Sequence, residues 1–348
     1  MCMVHSPIAG RALRAVPGPS SPPAYEPASV LASAQSLDLR VAFATEPPPM
    51  SFVAAGLKAG TVGVLASPGG VGKSFLSLEI AMAVAAPGVD SALLGLDIRH
   101  HGSVMVLNAE DPLDVLQERV YAIGQLLDEG QHESVLAQLR VTSLRGRRPN
   151  LLDERWVDAI ARSCEDVRLL IIDTFSRFHT GDENDNAEMA EVISALEYIA
   201  ERSGPAILVL HHTSKTAALN GQQAAQQSTR GASAIVDNAR WQGYLEVMSE
   251  RDAKELSVPF DLRRHFVRFG VSKQNYGRPF APVWLARVDR GVLINANEPR
   301  DMQDAVQYVR EIVAREKAAE NRRRNPVYMP AIGTPEVAVP NEPPEGVW

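Results

Sequence analysis

Residues 61–84 pass from one apolar stretch through a glycine-rich turn into another, and no other part of the chain restricts its fold as strongly. Thr61-Val62-Gly63-Val64-Leu65-Ala66 reads as a short buried strand, and Phe75 to Val84 reads as a helix with an apolar face. Between them lies SPGGVGKS, residues 67–74. Strand, glycine loop and helix in that order is the context of a phosphate-binding loop. Gly69, Gly70 and Gly72, with Val71 among them, let successive backbone N–H groups converge on phosphate oxygens. The helix start at Lys73, Ser74 and Phe75 adds the positive end of a helix dipole. In such a loop Lys73 binds the β- and γ-phosphates and the Ser74 hydroxyl holds Mg²⁺. The usual pattern has a glycine four residues before the Gly-Lys pair; here that place holds Ser67, which is small, and Pro68 stiffens the chain after it. The alternative is a turn that packs without a ligand.

Three further apolar runs, at Val104–Leu107, Leu169–Ile172 and Ala206–Leu210, suit a parallel sheet buried on both faces. Helical segments separate them, at Pro112–Leu127, Leu152–Cys164 and Ala187–Arg202. Alternating strands and helices predict a doubly wound α/β domain. From Asn238 the pattern changes. Trp241–Met248, His265–Lys273 and Val283–Val288 read as strands with short links, added antiparallel. Residues 1–40 are rich in Pro, Ser and Ala and read as a disordered extension, and 325–348 as a disordered tail. The expected working domain is 41–297, followed by a C-terminal helix over 298–324.

Ligands of open α/β sheets bind at the carboxyl ends of the strands, and each run ends in polar residues here. Glu110 follows the strand at 104–107, where a carboxylate can deprotonate a water attacking the γ-phosphate. Asp173 ends LLIID and is placed to hold Mg²⁺ through water. His211 and His212 end the next strand, and His211 is expected to sense the γ-phosphate. Taken singly, Glu110 can pair with Arg119, Asp173 can cap a helix and the histidines can be core residues. Their shared placement after successive strands favours a site. The loop Thr213–Ala232 is too long for a simple connection. Its charges are Lys215 and Arg230, both positive, so it reads either as a disordered surface loop or as a loop that contacts nucleic acid. The loop after Asp173, with Arg177, Phe178 and His179, is a second candidate whose acidic end argues against phosphate contact.

A formal charge of −7 argues against an all-basic surface but leaves room for a local basic channel. Two cysteines, Cys2 and Cys164, give no metal or redox spacing and suit the cytoplasm. No apolar run reaches about 18 residues, so no membrane span is expected.

In order along about 41–295, the motifs SPGGVGKS, NAEDP, LLIIDTFSRFH, LVLHHTSK, STRGASAIVDNARW and VRFGVSKQNYG resemble the RepA-type hexameric replicative helicases of broad-host-range plasmids, which are RecA-like ATPases. The resemblance implies a RecA-like core assembled as a homo-hexameric ring, with ATP and Mg²⁺ between subunits and single-stranded DNA through the centre. A primase and an initiator would be separate proteins. Carried over motif by motif, Lys73 and Ser74 bind nucleotide, Glu110 is the catalytic base, Asp173 binds Mg²⁺ and His211 is the sensor. Arg240 in DNARW is the finger supplied by the neighbouring subunit, Arg119 is a basic residue near the nucleotide, and Lys273 is a second cation acting across the interface. A RecA-like ATP switch that loads or regulates a DNA-processing partner, without unwinding, is the other reading.

Overall fold

The computed structural model describes residues 27–183, 185–213, 235 and 238–324. The described part of the segment before residue 50 holds two short helices, α1 (Pro27–Ser33) and α2 (Leu39–Ala44). Asp38 starts α2 by accepting hydrogen bonds from the backbone N–H groups of Arg40 and Val41. Both helices fall wholly or partly within the stretch that composition alone assigned to an extension.

The unit from residue 50 onward opens with a small antiparallel pair, β1 (Phe52–Ala54) and β2 (Leu57–Lys58). Then follow β3 (Val62–Ser67), α3 (Lys73–Ala85), α4 (Val89–Leu93), β4 (Ser103–Asn108), α5 (Leu113–Gly124), α6 (Glu129–Gln138), β5 (Leu139–Ser143), α7 (Glu154–Ser163), β6 (Val167–Asp173), α8 (Asn186–Ser203) and β7 (Ala206–His212). The C-terminal part adds β8 (Trp241–Val247), α9 (Glu250–Glu255), β9 (Phe266–Gln274), β10 (Val283–Arg287), β11 (Leu293–Asn295) and α10 (Pro299–Arg324).

Among the described residues the main sheet runs β11-β10-β9-β8-β3-β7-β6-β4-β5. From β8 to β5 every pairing is parallel, and β9, β10 and β11 extend the sheet antiparallel. This is the α/β architecture expected from the apolar runs. β3 lies inside the sheet and is buried along its whole length. Its alternate residues face different cores: Leu65 joins Leu208 and Leu210 under α3, whereas Val64 joins Ile207 and Val209 under α8. Burying each such aliphatic side chain contributes about 1.5–3 kcal/mol.

Three of the helices on the two faces begin at side-chain caps. Asp153 caps α7, Asp185 caps α8, and Asp128 with Gln131 forms a capping box on α6. α3 is different. Its N-cap is Gly72, at φ 114°, and no side chain caps it. A residue other than glycine is strained in that conformation. The first-turn N–H groups of α3 are thus left open at the carboxyl end of β3.

Candidate nucleotide site

A cavity of about 370 Å³ opens at this end of the sheet. Gly70, Gly72, Lys73, Ser74 and Phe75 form its floor, and Glu110, Asp111, Arg119 and His212 one wall. The other wall comes from the turn between β10 and β11, through Arg287 and Gly291. A larger cavity, about 490 Å³, lies beside β1 and the segment before β4 and carries none of these groups.

Lys73 is buried, with its Nζ donating to the Ser67 carbonyl at 2.8 Å, the Pro68 carbonyl at 3.2 Å and Ser67 Oγ at 3.2 Å. His212 Nδ1 lies 3.2 Å from the same Nζ. Burial pulls the Lys73 pKa down to about 8, against the opposing pull of Asp173 and Glu110. The ammonium is therefore held on loop oxygens at the mouth of a cavity lined by carboxylates. Ser67, where the usual pattern has glycine, serves this anchoring through both its carbonyl and its hydroxyl.

Asp173 ends β6 and is 4 % exposed. Burial raises its pKa to about 6, countered by a hydrogen bond from Ser74, with Glu110 and Asp111 pushing it further up. Asn108, the last residue of β4, ties the acidic groups together. Its Nδ2 donates to Asp173 Oδ2 at 3.0 Å, and its Oδ1 accepts from the backbone N–H groups of Glu110 (3.1 Å) and Asp111 (2.7 Å). Sequence reasoning passed over Asn108, although its place at a strand end just before Glu110 was the available signal. Arg119 donates to Asp111 Oδ2 at 2.6 Å and lies over the Phe75 ring, 5.9 Å from its centroid. It borders the cavity, and its carboxylate partner there is Asp111, not Glu110.

The hydroxyl of Ser74 and the carboxylate of Asp173 form an all-oxygen pair suited to Mg²⁺, which keeps most of its other positions for water and phosphate. Among the described residues no cluster of three or more His, Cys, Asp or Glu forms a protein-only metal cage. Mg²⁺ bound there would neutralise phosphate charge, with the Ser74 hydroxyl holding it and Asp173 acting through water.

The histidine at the cavity is not the expected one. His211 is 4 % exposed on the α8 side of the sheet, edge-on to Phe175 with ring centroids 6.2 Å apart, and burial lowers its pKa to about 4. His212, on the opposite face, reaches Lys73 through Nδ1 and lies 3.5 Å from Glu110 Oε2 through Nε2. Adjacent strand residues point to opposite faces, so only one of the two can meet the P-loop.

Arg240 and Lys273 do not line this cavity. Arg240 is exposed just before β8, its N–H donating to the Val62 carbonyl at 3.1 Å at the start of β3. Five residues of extended strand, roughly 17 Å, separate that end of β3 from Ser67. Lys273 pairs with Gln242 across β8 and β9 and so occupies the same far edge. Lys215 and Arg230 lie outside the described residues. Gly69 is exposed on the loop, and Val71 takes part through its carbonyl, as does Gly70, both facing Arg287.

A second unanticipated group sits beneath the cavity. Glu79, on α3, is fully buried; Oε1 accepts the Leu293 N–H at 2.8 Å, and Oε2 has no partner. Burial raises its pKa to about 8, against the pull of that hydrogen bond. A carboxyl with a raised folded-state pKa favours the folded chain below its unfolded pKa, near 4.5, and that advantage drains away as pH rises to about 8. Glu79→Gln keeps an acceptor for Leu293 and cannot ionise. The variant should therefore gain on the wild type from pH 5 to pH 8, by up to about 4 kcal/mol. Chemical denaturation at several pH values measures this, and a constant difference contradicts it.

An uncapped helix behind a glycine loop, a buried lysine and a strand-end carboxylate paired with a serine define a P-loop nucleoside-triphosphatase. The chain belongs to the AAA domain family, whose model matches residues 28–218, more than half of its length. Solved structures to which it is similar include a RadB recombinase, at 11 % identity and TM-score 0.43 over 67 % of this chain and 90 % of that one. A solved ATPase domain matches at 12 % identity and TM-score 0.49, over 78 % and 99 %. A DnaB-like replicative helicase, described with its interactions with primase, matches at 13 % identity and TM-score 0.49, over 74 % and 66 %.

Proposed function

We propose that the chain is an ATP-dependent DNA helicase or translocase of the RepA type, acting as a ring in plasmid or mobile-element replication. The observation that carries this reading is the separation of Arg240 and Lys273 from the P-loop of their own subunit. One edge of the sheet holds Lys73, Ser74, Glu110 and Asp173; the other holds the cations that would complete such a site. Head-to-tail association would bring the second edge of one subunit against the first edge of the next, and a heterologous contact of this kind forms a ring when its rotation closes and a filament when it does not. A hexamer is the closure that the RepA resemblance suggests.

In the completed site Lys73 leaves its loop oxygens for the β- and γ-phosphates. Glu110, exposed enough to meet water and held in place by Asn108, accepts the proton of the attacking water. Arg240 of the neighbouring subunit stabilises charge on the transferred phosphoryl group. His212, touching Lys73 and standing beside Glu110, takes the sensor role first given to His211 and passes the state of the γ-phosphate into the loop that follows β7. Lys215 and Arg230 in that loop are the proposed contacts to single-stranded DNA. The working domain is 41–297, and a separate primase and initiator are the partners that the replicative role requires. No described helix is long and apolar enough to cross a membrane, and the proposed place of action is the cytoplasm.

A forked-duplex displacement assay tests the proposal. The wild type should separate strands with ATP but not with a non-hydrolysable analogue. Single-stranded DNA should raise ATP turnover, and the stimulation should fall with salt as counterion release requires. Turnover indifferent to DNA, with no strand separation, would favour the ATP switch.

A further inference from the structure

The turn between β10 and β11 touches the P-loop from outside the strand ends that build the rest of the site. Arg287, the last residue of β10, donates from Nη2 to the Val71 carbonyl at 2.6 Å and approaches the Gly70 carbonyl at 3.4 Å. Its guanidinium is half-buried, and that burial lowers its pKa. Arg287 pairs directly with Leu293 across the hairpin, and Leu293 is the residue whose N–H binds Glu79. Glu79 sits on α3, the helix that begins with Lys73. The hairpin is therefore fastened at one residue to the P-loop helix and at the facing residue to the P-loop itself. Gly291 fits the same contact: a Cβ there would stand 2.9 Å from the Phe75 ring.

The geometry points to Arg287 as a positioning residue for nucleotide binding, one that holds the P-loop carbonyls of Gly70 and Val71 so that the following amides face the phosphates. This deepens the nucleotide-site reading and rests on it. In a planar trans peptide the carbonyl and the next N–H point in opposite directions. Fixing the Gly70 and Val71 carbonyls on the hairpin side aims the N–H groups of Val71 and Gly72 away from it. A charged donor on those carbonyls also polarises the same peptides, strengthening the N–H groups as donors. Glycine-rich backbone has little conformational preference of its own at these positions, so an external clamp is what selects the cradle conformation. Arg287 acts through the backbone and needs no contact with the nucleotide.

The test measures mant-ADP affinity and ATP turnover for the wild type, Arg287→Ala and Arg287→Lys, with melting temperatures alongside. Arg287→Ala should lose about tenfold or more in mant-ADP affinity, the scale of a charge-assisted hydrogen bond. The KM for ATP should rise by a similar factor, with kcat changing much less, because Lys73 and Glu110 remain. Guanidinium ion at low millimolar concentration should restore part of the affinity to Arg287→Ala but not change the wild type. Arg287→Lys, which keeps the charge without the planar fork, should fall between the two and decides the matter if the alanine variant unfolds. Affinity and KM within twofold of the wild type in the substituted proteins would overturn the positioning role. So would a loss that neither guanidinium nor lysine relieves, which would mark Arg287 as a packing residue. A wild type that binds no mant-ADP would instead overturn the nucleotide-site reading, and this inference with it.

Discussion

Glu110→Gln should bind ATP with near wild-type affinity and turn it over at least about a thousandfold more slowly, the scale of a lost general base. The variant keeps the shape of the side chain and the backbone hydrogen bond that Asn108 accepts from residue 110. What it loses is the ability to take a proton from water. Asp111 cannot substitute easily, because its Oδ2 is already engaged by Arg119 at 2.6 Å. Equilibrium binding of a fluorescent ATP analogue beside single-turnover hydrolysis separates the two effects. Unchanged hydrolysis would make Glu110 a structural residue and direct attention to Asp111.

Lys73→Ala should abolish turnover and weaken triphosphate binding severely. Lys73 is the cation within the subunit's own P-loop, and its Nζ is already positioned among the Ser67 and Pro68 oxygens at the mouth of the cavity. Replacing it also removes a charge that opposes the repulsion among Glu110, Asp111 and Asp173. The expected rate loss is several orders of magnitude, because electrostatic stabilisation of the transferring phosphoryl group is the main source of catalysis in such sites. Residual turnover near the wild-type rate would contradict the nucleotide-site assignment.

The parts of this site that local pattern determines could be read from the chain directly. The β3–loop–α3 unit is contiguous, and its glycines and Lys73 declare it. Asp173 ends an unbroken apolar run, as a buried parallel strand requires. β5 escaped notice because Arg140 and Thr142 alternate with Leu139 and Val141 on a strand at the sheet edge, leaving no continuous apolar run. α6 half-buries Gln131, Ser134, Val135 and Gln138 at helical spacing, but three of these four are polar, so the face leaves no apolar period in the sequence.

The choice between His211 and His212 needed more than pattern. Strand alternation separates the two, but only the packing of α3 and α8 shows which face carries the P-loop. Arg287 and Glu79 were invisible for a different reason. Their partners are more than 200 residues away in sequence, and the β10–β11 turn reaches the P-loop only because β9 and β10 reverse direction across the sheet. A buried glutamate within an apolar helix was the one local sign, since such a residue is rare without a specific partner.

The most direct test of a shared site is a mixing experiment with Arg240→Ala and Lys73→Ala subunits. The first keeps an intact P-loop and the second an intact finger, so each alone should be inactive. Mixed under conditions where ring exchange is verified, they should regain part of the wild-type ATP turnover, at junctions where a good P-loop faces a good Arg240. Turnover that stays at the level of the separate variants would contradict the account and return Arg240 to its own subunit.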